Sequence, residues 1–263
     1  MRIEIANEKA DIFVSCFQNI KVFTDSVNIM FREGELYVQS LDQSMVMIFE
    51  MTLPSTWFKL YELTDEVSVT LGINTSIWAK VLSIREKHQN IILDTNGDHD
   101  TLSIKFYGDS ENTKTSNVDK TLEIPLLDIE SDLLDIPDSE YQVDIKIGSS
   151  VFANTVNQLK QFDDSVLMNC NEEEIHFISE SSQYGKMDAK VSCDDIVEYA
   201  IEENGDITNS FSLKYIHIAT LYQKLSDNLS ISMSEGMPLK LEYKLEEDCS
   251  LRFFVAPKVN DDD

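Results

Sequence analysis

Basic side chains are scarce in this chain: 21 Lys and Arg stand against 48 Asp and Glu, a formal net charge of −27. Taken over the whole surface, that balance argues against a polyanionic partner, because phosphate contacts need Lys and Arg. Cysteine is sparse as well. Cys16, Cys170, Cys193 and Cys249 show no paired spacing, which points to reduced thiols and an intracellular setting rather than a disulfide framework. No apolar run approaches the roughly 18 residues of a membrane span. The start, Met1-Arg2-Ile3-Glu4-Ile5, has no apolar leader pattern, so secretory and transmembrane readings are both poor.

The usual signatures of catalysis are missing too. His88, His99, His176 and His217 are scattered without metal-ligand spacing. Asp94-x-Asn96-Gly97-Asp98-x-Asp100 resembles a calcium loop, but its glycine is misplaced and the closing Glu is absent, so a β-turn is the better reading. No G-x-x-x-x-G-K, G-x-G-x-x-G, G-x-S-x-G or H-E-x-x-H occurs. No catalytic residue, metal ligand or cofactor is expected. The plentiful carboxylates leave one enzymatic alternative, a nuclease in which convergent acids bind a metal.

What the chain does have is a second copy of itself. Residues 13–40 read onto 152–179 without a gap: Phe13, Lys21, Phe23, Asp25, Ser26, Val27, Glu33, Glu35 and Ser40 recur as Phe152, Lys160, Phe162, Asp164, Ser165, Val166, Glu172, Glu174 and Ser179. A period of about 140 residues is domain-sized, far above that of a solenoid. The pattern predicts an α+β fold of two pseudo-symmetric domains, each with two helices on antiparallel strands. The boundaries expected are 1–124, a linker at 125–140, and 141–263 with an acidic tail. The linker alternates acids with large aliphatics between Pro125 and Pro137, which disfavours a continuous helix. Aliphatics left exposed there would mark a partner site.

Charge is sorted by element. The helical segments read from periodicity are 12–22, 74–85, 149–161 and 212–225. Those 50 positions contain no Asp or Glu, where the average acid content gives about nine. They do carry Lys21, Lys80, Arg85, Lys160, Lys214 and Lys224, among polar residues of the Gln, Asn, Ser and Thr type. Such a face suits phosphates without base readout, and the acidic remainder would confine binding to it. Two repeats also leave a free sheet edge at each end, near 116–124 and 182–191. Head-to-tail pairing of such edges closes into a ring if the rotation permits.

With these features in place, the chain resembles the eukaryotic-type DNA sliding clamps, the proliferating cell nuclear antigen family, in a divergent form that is cellular or from a large DNA virus. The resemblance is carried by Val38-Gln39-Ser40-Leu41-Asp42-Gln43-Ser44-Met45-Val46, and by Leu127-Asp128-Ile129-Glu130 through Ile136-Pro137-x₃-Tyr141. It continues in Phe211-Ser212-Leu213-Lys214-Tyr215, in Met237-Pro238-Leu239-x-Leu241-Glu242-Tyr243-Lys244, and in Phe254-Val255-Ala256-Pro257-Lys258-Val259.

The resemblance implies a homotrimeric ring around duplex DNA, working without catalysis in the nucleus, or at the replication site of a virus. Its partners would be a DNA polymerase, a clamp loader and other replication and repair proteins, with no membrane involved. Lys21, Lys80 and Lys214 match basic residues of the pore helices. A partner pocket maps to Leu41, Met45 and Val46, to Leu134, Ile136 and Pro137, and to Phe254, Ala256, Pro257 and Lys258. Partners in this family fill it with a Q-x-x-h-x-x-a-a peptide. Several departures accompany the match. Asn154 and Asn157 stand at basic positions, Glu172 replaces the lysine that accepts ubiquitin in cellular relatives, and the 116–124 strand lacks the aromatic common at the subunit contact. A monomeric or dimeric processivity factor of the same fold is the remaining alternative.

Overall fold

The computed structural model describes residues 1–63, 67–95, 100–108, 118–130, 132–137, 139–246 and 248–258. The Asn96-Gly97 turn with most of the calcium-like loop, the first residues of the 116–124 strand and the acidic tail lie outside the described residues. The chain divides into two compact units. One comprises Met1–Ser40, Glu50–Leu133 and Glu246–Cys249; the other comprises Leu41–Phe49, Leu134–Leu245 and Ser250–Asp263.

The first unit is built on β1 (Arg2–Ile5), α1 (Asn7–Gln18), β2 (Ser26–Arg32), β3 (Glu35–Leu41), β4 (Met47–Pro54), β5 (Leu60–Glu62), β6 (Ser68–Asn74), α2 (Thr75–Leu82), β7 (Gln89–Asp94), β8 (Thr101–Gly108) and β9 (Lys120–Pro125). One sheet has the order β5-β1-β7-β8-β9, all antiparallel. Beside β2 run β3 and β6, also antiparallel. Alternation of buried and exposed side chains, as along β4, is what a half-buried strand requires.

The second unit follows the same plan with β10 (Val143–Gly148), α3 (Ser149–Leu159), β11 (Ser165–Asn171), β12 (Glu174–Ser181), β13 (Gly185–Ser192), β14 (Glu198–Ile201), β15 (Asp206–Ser212), α4 (Leu213–Thr220), β16 (Asn228–Met233), β17 (Leu239–Glu246) and β18 (Cys249–Val255). Strand β10 lies between β14 and β16 as β1 lies between β5 and β7. Strand β11 lies between β12 and β15 as β2 lies between β3 and β6. The duplication read from sequence is thus a duplication of topology.

The repeated phenylalanines anchor the two cores. Phe13 packs against Phe17 in a tilted pair at 4.9 Å, and both meet the Trp78 ring edge-on, at 6.4 and 5.9 Å. Its counterpart Phe152 meets Phe177 edge-on at 5.8 Å. Each buried ring contributes about 1.5–3 kcal/mol by area, with edge-on pairs adding up to about 1.5 kcal/mol. All four cysteines are free thiols, and burial pushes those of Cys16 and Cys170 up to about 12.

Two sequence expectations need correction. The first helix begins at Asn7 rather than 12, so it contains Glu8 and Asp11 and is not acid-free. Its first turn was invisible to periodicity because only Ala10 is buried there, while Ala10, Phe13, Val14 and Phe17 continue the helical spacing. Secondly, α2 ends at Leu82, so Arg85 lies beyond the helix.

The start of the linker is tied to the first unit. Leu127 donates its N–H to the Gly72 carbonyl at 2.8 Å, forming an antiparallel bridge, and the Asn28 side-chain amide donates to the Ile129 carbonyl at 3.0 Å. The close approach at Gly72 admits no side chain: a Cβ there would stand 2.0 Å from the Leu127 oxygen. Leu127, Leu133 and Leu134 remain exposed.

Candidate nucleic-acid and partner-peptide interfaces

The lysines of the helical segments all reach solvent, each from a different local position. Lys21 sits on the short 3₁₀ turn Ile20–Val22 after α1. Lys80 lies in the last turn of α2, whose N-terminus is capped by the Asn74 side chain accepting from the Ile77 N–H at 3.0 Å. Lys160 is the C-cap residue of α3, where a cation complements the helix dipole. Lys214 opens α4 with its ammonium 5.0 Å from the centre of the Tyr215 ring, and Lys224 follows in the turns after that helix. Helices α2, α3 and α4 contain no acid.

Arg85 does not belong with them. Its guanidinium donates to the Asp11 carboxylate at 2.6 Å and to the carbonyls of Gln89, Asn7 and Lys87, and only 4% of its side chain is exposed. The expectation that it contacts DNA is therefore withdrawn: four of its five N–H donors are engaged within the fold, the side chain is buried, and its charge is paired with Asp11.

His217 on α4 is coupled to the α3 lysine. Burial, and after it the Lys160 charge, hold the imidazole below the usual histidine value, and its Nδ1 is buried without a hydrogen-bond partner among the described residues. The neutral form is thereby favoured.

The expected pocket residues all fall within the second unit. The loop after β3 is organised by Asp42, whose carboxylate accepts from the N–H groups of Ser44 at 2.9 Å, Val46 at 2.7 Å and Met47 at 2.8 Å. Burial alone would raise this carboxyl, but those donors and the Tyr215 hydroxyl outweigh it and hold it below its ordinary value. At the loop tip Met45 adopts a left-handed φ of 57° and is 78% exposed. The C-terminal strand joins this loop, with Ala256 donating its N–H to the Val46 carbonyl at 2.9 Å. Two residues later Lys258 donates its N–H to Ser210 of β15 at 2.8 Å, while its ammonium bonds the Ser165 hydroxyl. Leu41, Val46, Ala256 and Pro257 are half-buried, and Phe254 is buried. From the linker, Leu134 and Pro137 are exposed and Ile136 is half-buried. The loop and tail residues are brought together, with the linker aliphatics left at the surface of the same unit. Asp42 and Tyr215 were missed as organisers; the Asp42-x-Ser44 turn chemistry was the available signal.

The two expected edges are sheet ends. Strand β9 closes the five-stranded sheet, and β13 closes a four-stranded sheet of order β13-β12-β11-β15. On that sheet His176 lies between two carboxylates, Asp188 at 2.9 Å from Nδ1 and Glu174 at 2.9 Å from Nε2. Those bonds raise its pKa. No group of three or more His, Cys, Asp and Glu among the described residues is placed to hold a metal ion, and no described helix is long and apolar enough to cross a membrane.

Comparison with known proteins gives one consistent answer. Residues 2–133 match the family model for the N-terminal domain of proliferating cell nuclear antigen, and residues 135–258 match that for its C-terminal domain. Among curated proteins, the chain is similar to proliferating cell nuclear antigen 2 of Drosophila melanogaster, 27% identical over 231 residues that cover 88% of each chain. Among solved structures it superposes on a chain of the PCNA2–PCNA3 complex from Sulfolobus tokodaii with a TM-score of 0.83 at 20% identity, covering 98% of this chain and 99% of that one. A likeness of fold at that identity carries the architecture, and the two domain models carry the membership. The chain belongs to the proliferating cell nuclear antigen family and is a clamp protein of the duplicated fold, not an enzyme.

Proposed function

We propose that three copies of this chain close into a ring around duplex DNA and tether a polymerase and other replication and repair proteins to it. One observation carries the reading: in a chain of net charge −27, α2, α3 and α4 hold no acid, and lysines on or beside them face solvent. Lys21, Lys80, Lys160, Lys214 and Lys224 supply the phosphate contacts, independent of base sequence. Residues 125–140 act as the connector between clamp domains 1–124 and 141–263.

The partner site is Leu41, Met45, Val46, Leu134, Ile136, Pro137, Phe254, Ala256, Pro257 and Lys258. It receives the aliphatic and two aromatics of a Q-x-x-h-x-x-a-a peptide, a low-entropy apolar plug against these side chains. Subunits join by pairing of β9 with β13 of the next copy, which removes both free edges. The place of action is the nucleus, or the replication site of a virus. Light scattering of the purified chain tests the assembly: the reading requires a mass of about 90 kDa, three times the 30.1 kDa chain. A mass of one or two chains at micromolar concentration would favour the non-ring processivity factor instead.

A further inference from the structure

Helix α3 presents a face unlike the other helices. Asn154, Asn157 and Gln158 are exposed on α3 at spacings of three and four, so they share one side, and the exposed Gln161 follows in the turn after Lys160. The opposite side, Phe152, Ala153, Val156 and Leu159, is buried. None of the four amides has a hydrogen-bond partner within the described residues, whereas the neighbouring Thr155 hydroxyl is satisfied by the Val151 carbonyl at 3.0 Å. No acid occurs from residue 145 to 162, in a chain that carries 48 of them, and the row of amides runs beside the exposed Lys160. Helix α4, which packs against α3, adds Lys214, and the turns after it add Lys224.

We infer that this row of amides is a neutral hydrogen-bonding track for the phosphates of duplex DNA. The inference rests on the proposed DNA reading and specifies how α3 takes part in it. Each amide offers two N–H donors to a phosphate oxygen without adding charge. A lysine contact releases condensed counterions and weakens steeply with salt; an amide contact does neither. Acids would repel the backbone and are absent from this face, while apolar residues would offer it no donor. The helix therefore supplies short-lived contacts that a sliding duplex exchanges at low cost, and the few lysines supply the attraction.

The test is fluorescence anisotropy of a labelled linear duplex with free ends, between 50 and 200 mM salt. It compares wild type with three variants: Asn154→Ala/Asn157→Ala/Gln161→Ala, Asn154→Lys/Asn157→Lys/Gln161→Lys, and Lys21→Glu/Lys80→Glu/Lys214→Glu. Circular dichroism serves as the folding control. Alanine favours helix at the exposed α3 positions Asn154 and Asn157, and Gln161 is exposed beyond the helix end, so the first variant folds. It is expected to bind about 3- to 10-fold more weakly with an unchanged salt slope, as for the loss of one or two net hydrogen bonds. The lysine variant is expected to bind more tightly, with a slope steeper by about 0.9 for each phosphate newly neutralised. An alanine variant equal to wild type at every salt, while the glutamate variant loses binding, overturns the amide track alone. If the glutamate variant also binds like wild type, the DNA reading of the helix faces falls with it.

Discussion

Arg85 donates to the Asp11 carboxylate at 2.6 Å across 74 positions of sequence, joining the start of the first helix to the segment after the second. The same guanidinium satisfies three carbonyls, so it acts as an internal clip and not as a phosphate contact. Arg85→Gln is expected to lower unfolding stability by about 1–3 kcal/mol through the orphaned carbonyls. Asp11 is largely exposed and adds little to that loss. Denaturant melts would show the change, while the salt slope of DNA binding stays at the wild-type value. A variant of normal stability with a shallower slope would return Arg85 to the DNA face.

Peptide binding should depend on both the linker and the tail. Titrated by calorimetry with a Q-x-x-h-x-x-a-a peptide, wild type is expected to bind at micromolar levels. Ile136→Ala and Pro257→Ala should each cost on the order of 2 kcal/mol, roughly thirty-fold in affinity. Asp42→Ala should weaken the peptide as well, because it removes the acceptor of three loop N–H groups and frees Met45 from its left-handed conformation. Equal binding by all four proteins would place the partner site elsewhere.

Gly72 tests how the linker is held. Gly72→Ala would force a Cβ against the Leu127 carbonyl, so the bridge must open. Hydrogen exchange at the Leu127 amide is expected to accelerate by at least tenfold, equivalent to about 1.4 kcal/mol of lost protection. Unchanged exchange would mean that the bridge is absent in solution.

The two histidines make stability depend on pH in opposite directions. His217 has a lowered pKa in the fold, so the unfolded chain takes up its proton first. Its contribution is fully present above the ordinary histidine value near 6.5 and is lost as pH falls below it. His176 has a raised pKa, so its contribution is fully present below that ordinary value and is lost as pH rises through the folded one. Thermal melts from pH 5 to 8.5 should show His217→Asn flattening the acid limb and His176→Gln flattening the alkaline limb. Parallel curves for both variants and wild type would refute the assignment.

Much of the architecture was legible because the chain states it twice. Phe13 and Phe152 occupy the same place in two copies, and alternation marks half-buried strands wherever one face meets a core. Periodicity failed at the first turn of α1, where Asn7, Glu8 and Lys9 carry no apolar signal. Counting cations failed at Arg85, because whether a guanidinium is free depends on an acid that the fold brings from far away. The same limit applies to the pocket: the tie between Ala256 and Val46 is a long-range backbone bond that no local pattern announces. The resemblance named the family, and the geometry of Asp42 explains why the loop after β3 holds its shape.

Encirclement of DNA is the centre of the account, and a threading measurement tests it most directly. The purified chain is titrated onto two linear duplexes of identical sequence, one with free ends and one with both ends blocked by streptavidin on terminal biotin. A closed ring can enter only over a free end. The account predicts salt-sensitive retention on the free-ended duplex and none on the blocked one. Equal binding to both duplexes would contradict it, because a protein that grips DNA from the side has no need of an end.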